Sequence, residues 1–310
     1  MALRITEFFG YSPLDPAGKA NADKLYCPFV GSGCIKPRHG ACSVRQLASA
    51  EIVVCCPNRL YAGNYKILSD IAHDTFGGDI ELISPDMAAK RRSGDAGGIT
   101  AREVVVFGRY WGQELPLPRP PSKTGGGVRT YFVDWILAKL DKSGELHELV
   151  AVEVQTIDTT GNYGAQATLF FNGQPFSDAQ GRIPGYSNAG MNWENVSKRI
   201  LPQIIYKGHV LRREEKCSKG LYFVCPEQVY QRIRERLGGN LHTYKPGNGT
   251  ITFRSYQIGE EKPAGQIREL AFFGQFTTTV DQVALAFTSP MNLPDPNVYE
   301  LAIKAALNIP

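Results

Sequence analysis

Glu153 and Gln155 sit in an apolar, β-branched run, Leu149-Val150-Ala151-Val152-Glu153-Val154-Gln155-Thr156-Ile157-Asp158. Such a run predicts a buried strand. Alternate side chains of a strand share a face, so a carboxylate and an amide project side by side. An ionised carboxylate in a buried strand is costly unless it is paired or holds a cation, which makes Glu153 the residue most in need of an explanation. A second β-rich run, Thr130-Tyr131-Phe132-Val133-Asp134-Trp135-Ile136-Leu137-Ala138, carries one carboxylate, Asp134. The polar turn Asp141-Lys142-Ser143-Gly144-Glu145 joins the two runs most simply as an antiparallel hairpin. Asp134 and Glu153 then come within metal-sharing distance, with a further acid, Glu114, upstream in Gly112-Gln113-Glu114-Leu115. Converging carboxylates suit a hard cation such as magnesium. Such an ion lowers the pKa of a bound water and offsets the charge of an attacked phosphate, which is the chemistry of phosphodiester hydrolysis. The plainer reading of Glu153 is a buried ion pair or a strand end that reaches solvent.

Cysteine supplies the second constellation. Cys27, Cys34, Cys42 and either Cys55 or Cys56 lie within about thirty residues. Their surroundings, such as Gly31-Ser32-Gly33 and Lys36-Pro37-Arg38-His39-Gly40, are too rich in Gly, Pro and Ser to build a core. Four thiolates around one zinc or iron would cross-link such a region tetrahedrally. The spacing lacks Cys-x-x-Cys knuckles, so scattered buried thiols are the competing reading. His39 reads as an exposed loop histidine rather than a ligand, and Cys217 and Cys225 as structural.

Elements that position these residues can be read around them. Tyr65, Leu68, Ile71 and Ala72 recur at helical spacing over 61–76, closed by Gly77-Gly78. Lys90-Arg91-Arg92 is a solvated face or a phosphate contact. Val104-Val105-Val106-Phe107 and Leu221-Tyr222-Phe223-Val224 predict strands, and Asn248-Gly249 before Thr250-Ile251-Thr252-Phe253 predicts a hairpin. The Pro- and Gly-rich stretch at 116–127 is a loop. Trp193, Val196, Ile200 and Ile204 predict a helix capped by Asn192 and kinked or interrupted at Pro202. Asn195, Lys198, Arg199 and Gln203 share its polar side, as an ordinary surface or as contacts to phosphates and base edges.

Composition sets wide bounds. The 310 residues can bury a full core, in one large domain or two smaller ones. A net charge of +4 and pI of about 8.6 tolerate a polyanionic partner without requiring one. No signal-peptide core or membrane-length apolar run is present, so the expected location is cytoplasmic, where seven cysteines are more readily metal ligands or buried thiols than disulfides.

Together these segments resemble a known family. Phe132-Val133-Asp134-Trp135 followed by Val152-Glu153-Val154-Gln155-Thr156-Ile157-Asp158 resembles the active-site core of the NotI family of type II restriction endonucleases, within the PD-(D/E)XK superfamily. Glu7-Phe8-Phe9-Gly10, Cys27-Pro28-Phe29, Cys56-Pro57-Asn58-Arg59 and Asn195-Val196-Ser197-Lys198-Arg199 extend the likeness. The EagI-type branch looks closer still, through Cys56-Pro57-Asn58-Arg59-Leu60-Tyr61, Gly161-Asn162-Tyr163 and Leu201-Pro202-Gln203-Ile204-Ile205. The likeness runs from the N-terminus to about residue 258.

The resemblance implies an α/β fold, a mixed central sheet flanked by helices. It implies a four-cysteine metal-binding region over 1–62 and an endonuclease domain with DNA-recognition elements over 63–310. It implies a homodimer that cuts both strands of a GC-rich palindrome in double-stranded DNA, with GGCC as the expected kernel, using magnesium. Asp134 and Glu153 would hold the magnesium, Glu114 would be an additional acid, and Gln155 stands where most of the superfamily has lysine. Lys198 and Arg199 are the expected DNA contacts. Cys27, Cys34, Cys42 and Cys56 would hold a structural iron, with zinc as the other candidate, and Cys55 becomes a bystander. A neutral amide cannot be a general base, so Gln155 is assigned to positioning the attacking water. Two other functions compete: a metal-stapled DNA-binding protein without catalysis, and a nuclease for damaged or structured DNA.

Overall fold

The hairpin expected around Asp134 and Glu153 forms the middle of a seven-stranded mixed sheet. A computed structural model describes residues 2–95, 97–117, 131–177, 184–289 and 293–309. Strands β1 (Leu3–Phe8), β2 (Ala41–Gln46) and β3 (Ile52–Val54) make a small antiparallel sheet. The large sheet contains β4 (Glu81–Ile83), β5 (Glu103–Gly108), β6 (Trp135–Leu140), β7 (Leu146–Val154), β8 (Leu221–Pro226), β9 (Thr250–Ile258) and β10 (Leu270–Thr279). Its strands lie in chain order from β4 to β10. The pairs β4/β5, β7/β8 and β8/β9 are parallel and the other three antiparallel.

Alternation along β7 divides the core. Val150, Val152 and Val154 pack with Ile67, Leu68 and Ile71 of helix α2 (Ala62–Phe76) on one face of the sheet. Ala151 points the other way, into a cluster with Ile204, Val229 and Val283. These belong to α5 (Leu201–Leu211), α6 (Glu227–Leu237) and α7 (Val280–Thr288). Helices α1 (Pro16–Asp23), α3 (Pro85–Arg92) and α4 (Gly164–Phe171) complete the set, with Val298–Leu307 at the end of the described chain. A mixed sheet flanked by helices is the architecture expected from the sequence.

Several local readings change. The apolar spacing at 61–76 is helical, but Pro57–Tyr61 forms a 3-10 turn, and Gly63, Asn64 and Tyr65 all take left-handed φ of 57–70° before regular helix begins. Left-handed backbone costs a tyrosine about 1–2 kcal/mol. Tyr65 holds it because its ring packs on Tyr61, Trp111 and Trp135. Pro202 interrupts the helical run: Val196–Ile200 takes π geometry, and Pro202 lies in the first turn of α5, where its missing N–H has no role. Asn192 is correspondingly no cap. Asn248-Gly249 is not the hairpin turn either, since β9 pairs in parallel with β8 and antiparallel with β10, whose connection spans 259–269. The Pro- and Gly-rich stretch is described only at Pro116–Leu117, which pairs with Tyr131–Phe132; its residues 118–127 lie outside the described ones.

A buried ion pair ties the N-terminal sheet to the rest. Glu7 of β1 accepts from Arg59 Nε at 2.9 Å and Nη2 at 3.0 Å, and the fully buried guanidinium also donates to the carbonyl of Arg268 at 2.8 Å. Phe29 stacks beneath it. Planar bidentate geometry fits arginine and excludes lysine as an equal substitute. Removing one partner leaves a buried uncompensated charge, so Arg59→Met should destabilise the fold by about 3–5 kcal/mol. Chemical denaturation of the variant checks this; a loss under about 1 kcal/mol would mean that the pair is dispensable.

Candidate active site

The ladder between β6 and β7 ends at Trp135 opposite Val152, and one further step sets Asp134 opposite Glu153. Both residues share the parity of Ala151 and Ile136, so both carboxylates face the side of the sheet covered by α5. Asp134 Oδ2 accepts from the backbone N–H of Val154 at 2.8 Å. Glu153 is 5% exposed, and its Oε1 accepts from the ammonium of Lys207, itself 5% exposed on α5. The second oxygen, Oε2, is buried with no hydrogen-bond partner. Each carboxylate thus has one oxygen anchored by the protein.

The electrostatics follow from burial. Burial raises the Asp134 carboxyl above its ordinary value, opposed by the Val154 N–H and Lys207. Glu153 is pushed up to about 7, first by burial and then by the neighbouring charge of Asp134, with Lys207 pulling it back. Two acids in one desolvated place resist ionising together unless a cation compensates them. Lys207 is the buried cation that the sequence reading missed. Its signal was available: it lies at helical spacing from Ile204 and Leu211, a charge set within the apolar stripe of α5.

Gln155 lies one residue past the end of β7, tied by its N–H to the carbonyl of Val224 at 2.9 Å. Its side-chain Nε2 donates to the carbonyl of Thr156 at 3.2 Å. A cavity of about 310 Å³ opens in front of Asp134 and Gln155 and is also lined by Glu114, Asp158, Lys36 and Arg109. Glu114 is exposed at its rim and raises the Asp134 pKa, so Glu114, Asp134 and Gln155 share this cavity, while Glu153 lies outside its lining, buried against Lys207. The opposite wall comes from the cysteine-rich region, through Ile35, Cys55, Pro57 and Asn58. Behind it, Trp135 Nε1 donates to Tyr61 Oη at 3.1 Å, and Tyr110 Oη donates to Asn58 at 3.1 Å.

The cysteines sort into two groups. Cys27, Cys42 and Cys56 are buried in one small cluster with Cys34 packed against it, whereas Cys55 joins the main core and bonds weakly to the carbonyl of Ala41. Asn58 Nδ2 donates to Cys27 Sγ at 3.7 Å. The thiols have gathered without closing on a centre: among the described residues, no three His, Cys, Asp or Glu take an arrangement that could hold a metal ion. Cys217 and Cys225 are buried in the main core, as expected of structural thiols. His39 is not the exposed loop histidine expected, because its ring is half-buried against Tyr163.

Basic residues elsewhere are already paired. Arg91 meets Glu103 at 2.6 Å and Arg92 meets Glu145 at 3.7 Å, so most of the basic cluster braces α3 against the sheet and its turn. Lys198 and Arg199 are exposed on the π-type turn, beside Glu194 and Asp158 respectively. Exposed pairs of this kind hold little energy and exchange readily for another anion.

Gly108 makes the placement of Asp134 possible. A Cβ there would stand 2.2 Å from Trp135 Cε3 and 2.8 Å from the Asp134 carbonyl oxygen, so β5 can approach β6 only with no side chain at this point. Gly108→Ala should cost about 1–3 kcal/mol through overpacking and shift the tryptophan fluorescence. An unchanged melting temperature and spectrum would show that the strands have room to spare.

No curated protein matches the chain. The family model described as restriction endonuclease NotI matches residues 12–237, which include the cysteine cluster, Asp134, Glu153, Gln155 and Lys207. No helix among the described residues is long and apolar enough to cross a membrane. The chain belongs to the NotI restriction endonuclease family and is a site-specific deoxyribonuclease.

Proposed function

We propose that this type II restriction endonuclease acts as a homodimer on a GC-rich palindrome built around GGCC, hydrolysing one phosphodiester bond in each strand at a magnesium-dependent PD-(D/E)XK centre. The observation that carries the reading is the pair Asp134 and Glu153, set on adjacent strands with one oxygen of each anchored. These two carboxylates would hold the magnesium, with Glu114 as a further acid on the same cavity. Bound there, magnesium supplies a water of lowered pKa and offsets charge on the scissile phosphate. Gln155 orients the attacking water through its amide. An amide accepts no proton near neutral pH, so deprotonation would be assisted by the metal and by the phosphate oxygens of the substrate.

The DNA contacts assigned to Lys198 and Arg199 are supported by their exposure, with phosphates replacing Glu194 and Asp158 as partners. Cutting both strands of a palindrome calls for two active sites related by a two-fold axis, which supports the homodimer. The GGCC kernel rests on the EagI-type segments alone. The division into a metal-binding region over 1–62 and an endonuclease domain over 63–310 belongs to the same reading.

For the cysteines we propose a structural iron held by Cys27, Cys34, Cys42 and Cys56. Their common cluster supports it, as does the weak core of the surrounding loops. Elemental analysis of protein grown in balanced media should find iron near one atom per chain; zinc alone would correct the metal, and no metal would remove the site.

The decisive experiment is cleavage of a plasmid of known sequence with magnesium, followed by mapping of the ends. Discrete fragments should share a GGCC-containing palindrome. Glu153→Ala should slow cleavage by at least roughly 100-fold with DNA binding retained, and Gln155→Ala by about 10-fold. Full activity in Glu153→Ala would remove the proposed centre. Cleavage confined to damaged or branched DNA would replace the palindrome with a structure-specific substrate.

A further inference from the structure

Lys207 has no part in the chemistry assigned so far, yet it is buried in direct contact with one of the two central acids. Its side chain leaves the apolar stripe of α5, crosses to the sheet and meets Glu153 Oε1, with both groups 5% exposed. Burying an ammonium among Ile204, Leu211 and Ala151 is unfavourable unless its charge is needed. Three features of the carboxylate end indicate that need. Asp134 and Glu153 lie one residue beyond the last pair of the ladder, Trp135 with Val152, so two like charges stand close together at its end. Glu153 Oε2 is buried and without a partner, apart from the oxygen that Lys207 holds. The strand position nearest both acids, Gln155, carries no charge and spends its Nε2 on the carbonyl of Thr156.

We propose that Lys207 is a positioning residue of the cleavage reaction: from α5 it brings a cationic side chain to the site, fixing Glu153 by one oxygen and leaving the other to face the cation. It works through Glu153 and does not touch the scissile phosphate. Asp134 is anchored in the corresponding way by the Val154 N–H, so one anchor comes from the strand and the other from the helix. The device explains how a strand can carry a neutral amide beside two acids and still present them charged: the compensating cation comes from a different element, fifty-four residues downstream.

This inference rests on the reading that Asp134 and Glu153 hold magnesium. Two variants test it, because glutamine and arginine can both hydrogen-bond to Glu153 and only arginine is charged. Single-turnover cleavage of the mapped plasmid site is measured across a magnesium series for the wild type, Lys207→Arg and Lys207→Gln. Melting temperature and calcium-supported DNA binding serve as controls for folding. Lys207→Gln should raise the half-saturating magnesium concentration by roughly 10- to 100-fold, and Lys207→Arg should recover most of that loss. An unchanged or lower half-saturating concentration in Lys207→Gln would overturn the proposal. So would equal losses in both variants that follow their melting temperatures, because Lys207 would then serve the fold alone. If Glu153→Ala cleaves normally, the magnesium reading itself fails; if it is inactive while Lys207→Gln has wild-type magnesium dependence, only the role of Lys207 fails.

Discussion

The constraint on which the molecule turns is that two carboxylates are brought together where water is scarce. The register of a single hairpin puts Asp134 opposite Glu153, and helix packing over that face removes the solvent that would separate their charges. Burial raises both carboxyls above their ordinary values, and the charge of Asp134 adds to the shift of Glu153. The surrounding structure answers with an amide N–H for one acid and an ammonium for the other.

Holding such a site requires a rigid frame. Apolar clusters on both faces of the sheet bury β7, with Ala151 in one and Val150, Val152 and Val154 in the other. Close approach of β5 depends on a glycine at 108, and the tryptophan that fills the resulting space is pinned by Tyr61. Tyr61 belongs to the 3-10 turn that begins at Pro57, whose central residue Arg59 is locked to Glu7. The path from the N-terminal strand to the cavity beside Asp134 is therefore short and made of buried, directional contacts.

The same path brings the cysteine-rich region to the cavity beside Asp134. Cys55, Pro57 and Asn58 line the cavity, while Cys56 and Cys27 lie just behind it in the thiol cluster. Asn58 touches both sides, donating to Cys27 and accepting from Tyr110. A region too poor in apolar residues to fold alone is thus packed as one wall of the cleft. Its order and that of the cleft are coupled through shared side chains.

Much of this was legible in the chain itself. The alternation around Val150, Val152 and Val154 and the short turn at 141–145 determine the hairpin, because strand periodicity and turn chemistry are local. The hairpin in turn brings Asp134 to Glu153. Other features depend on contacts between distant segments and had no local signature. Left-handed Tyr65 is held by aromatic rings from elsewhere, and Pro202 opens a helix because the preceding turn widens to π geometry. Asn248-Gly249 looks like a hairpin turn but β9 finds its antiparallel partner later in the chain. The separation of Cys55 from Cys56 is a matter of which core each faces, which spacing alone leaves open. Lys207 is the sharpest case: sequence places a charge in an apolar helical stripe, and only the packing of α5 on the sheet decides that the charge belongs to Glu153, since a buried ion pair is defined by two elements meeting and by neither alone.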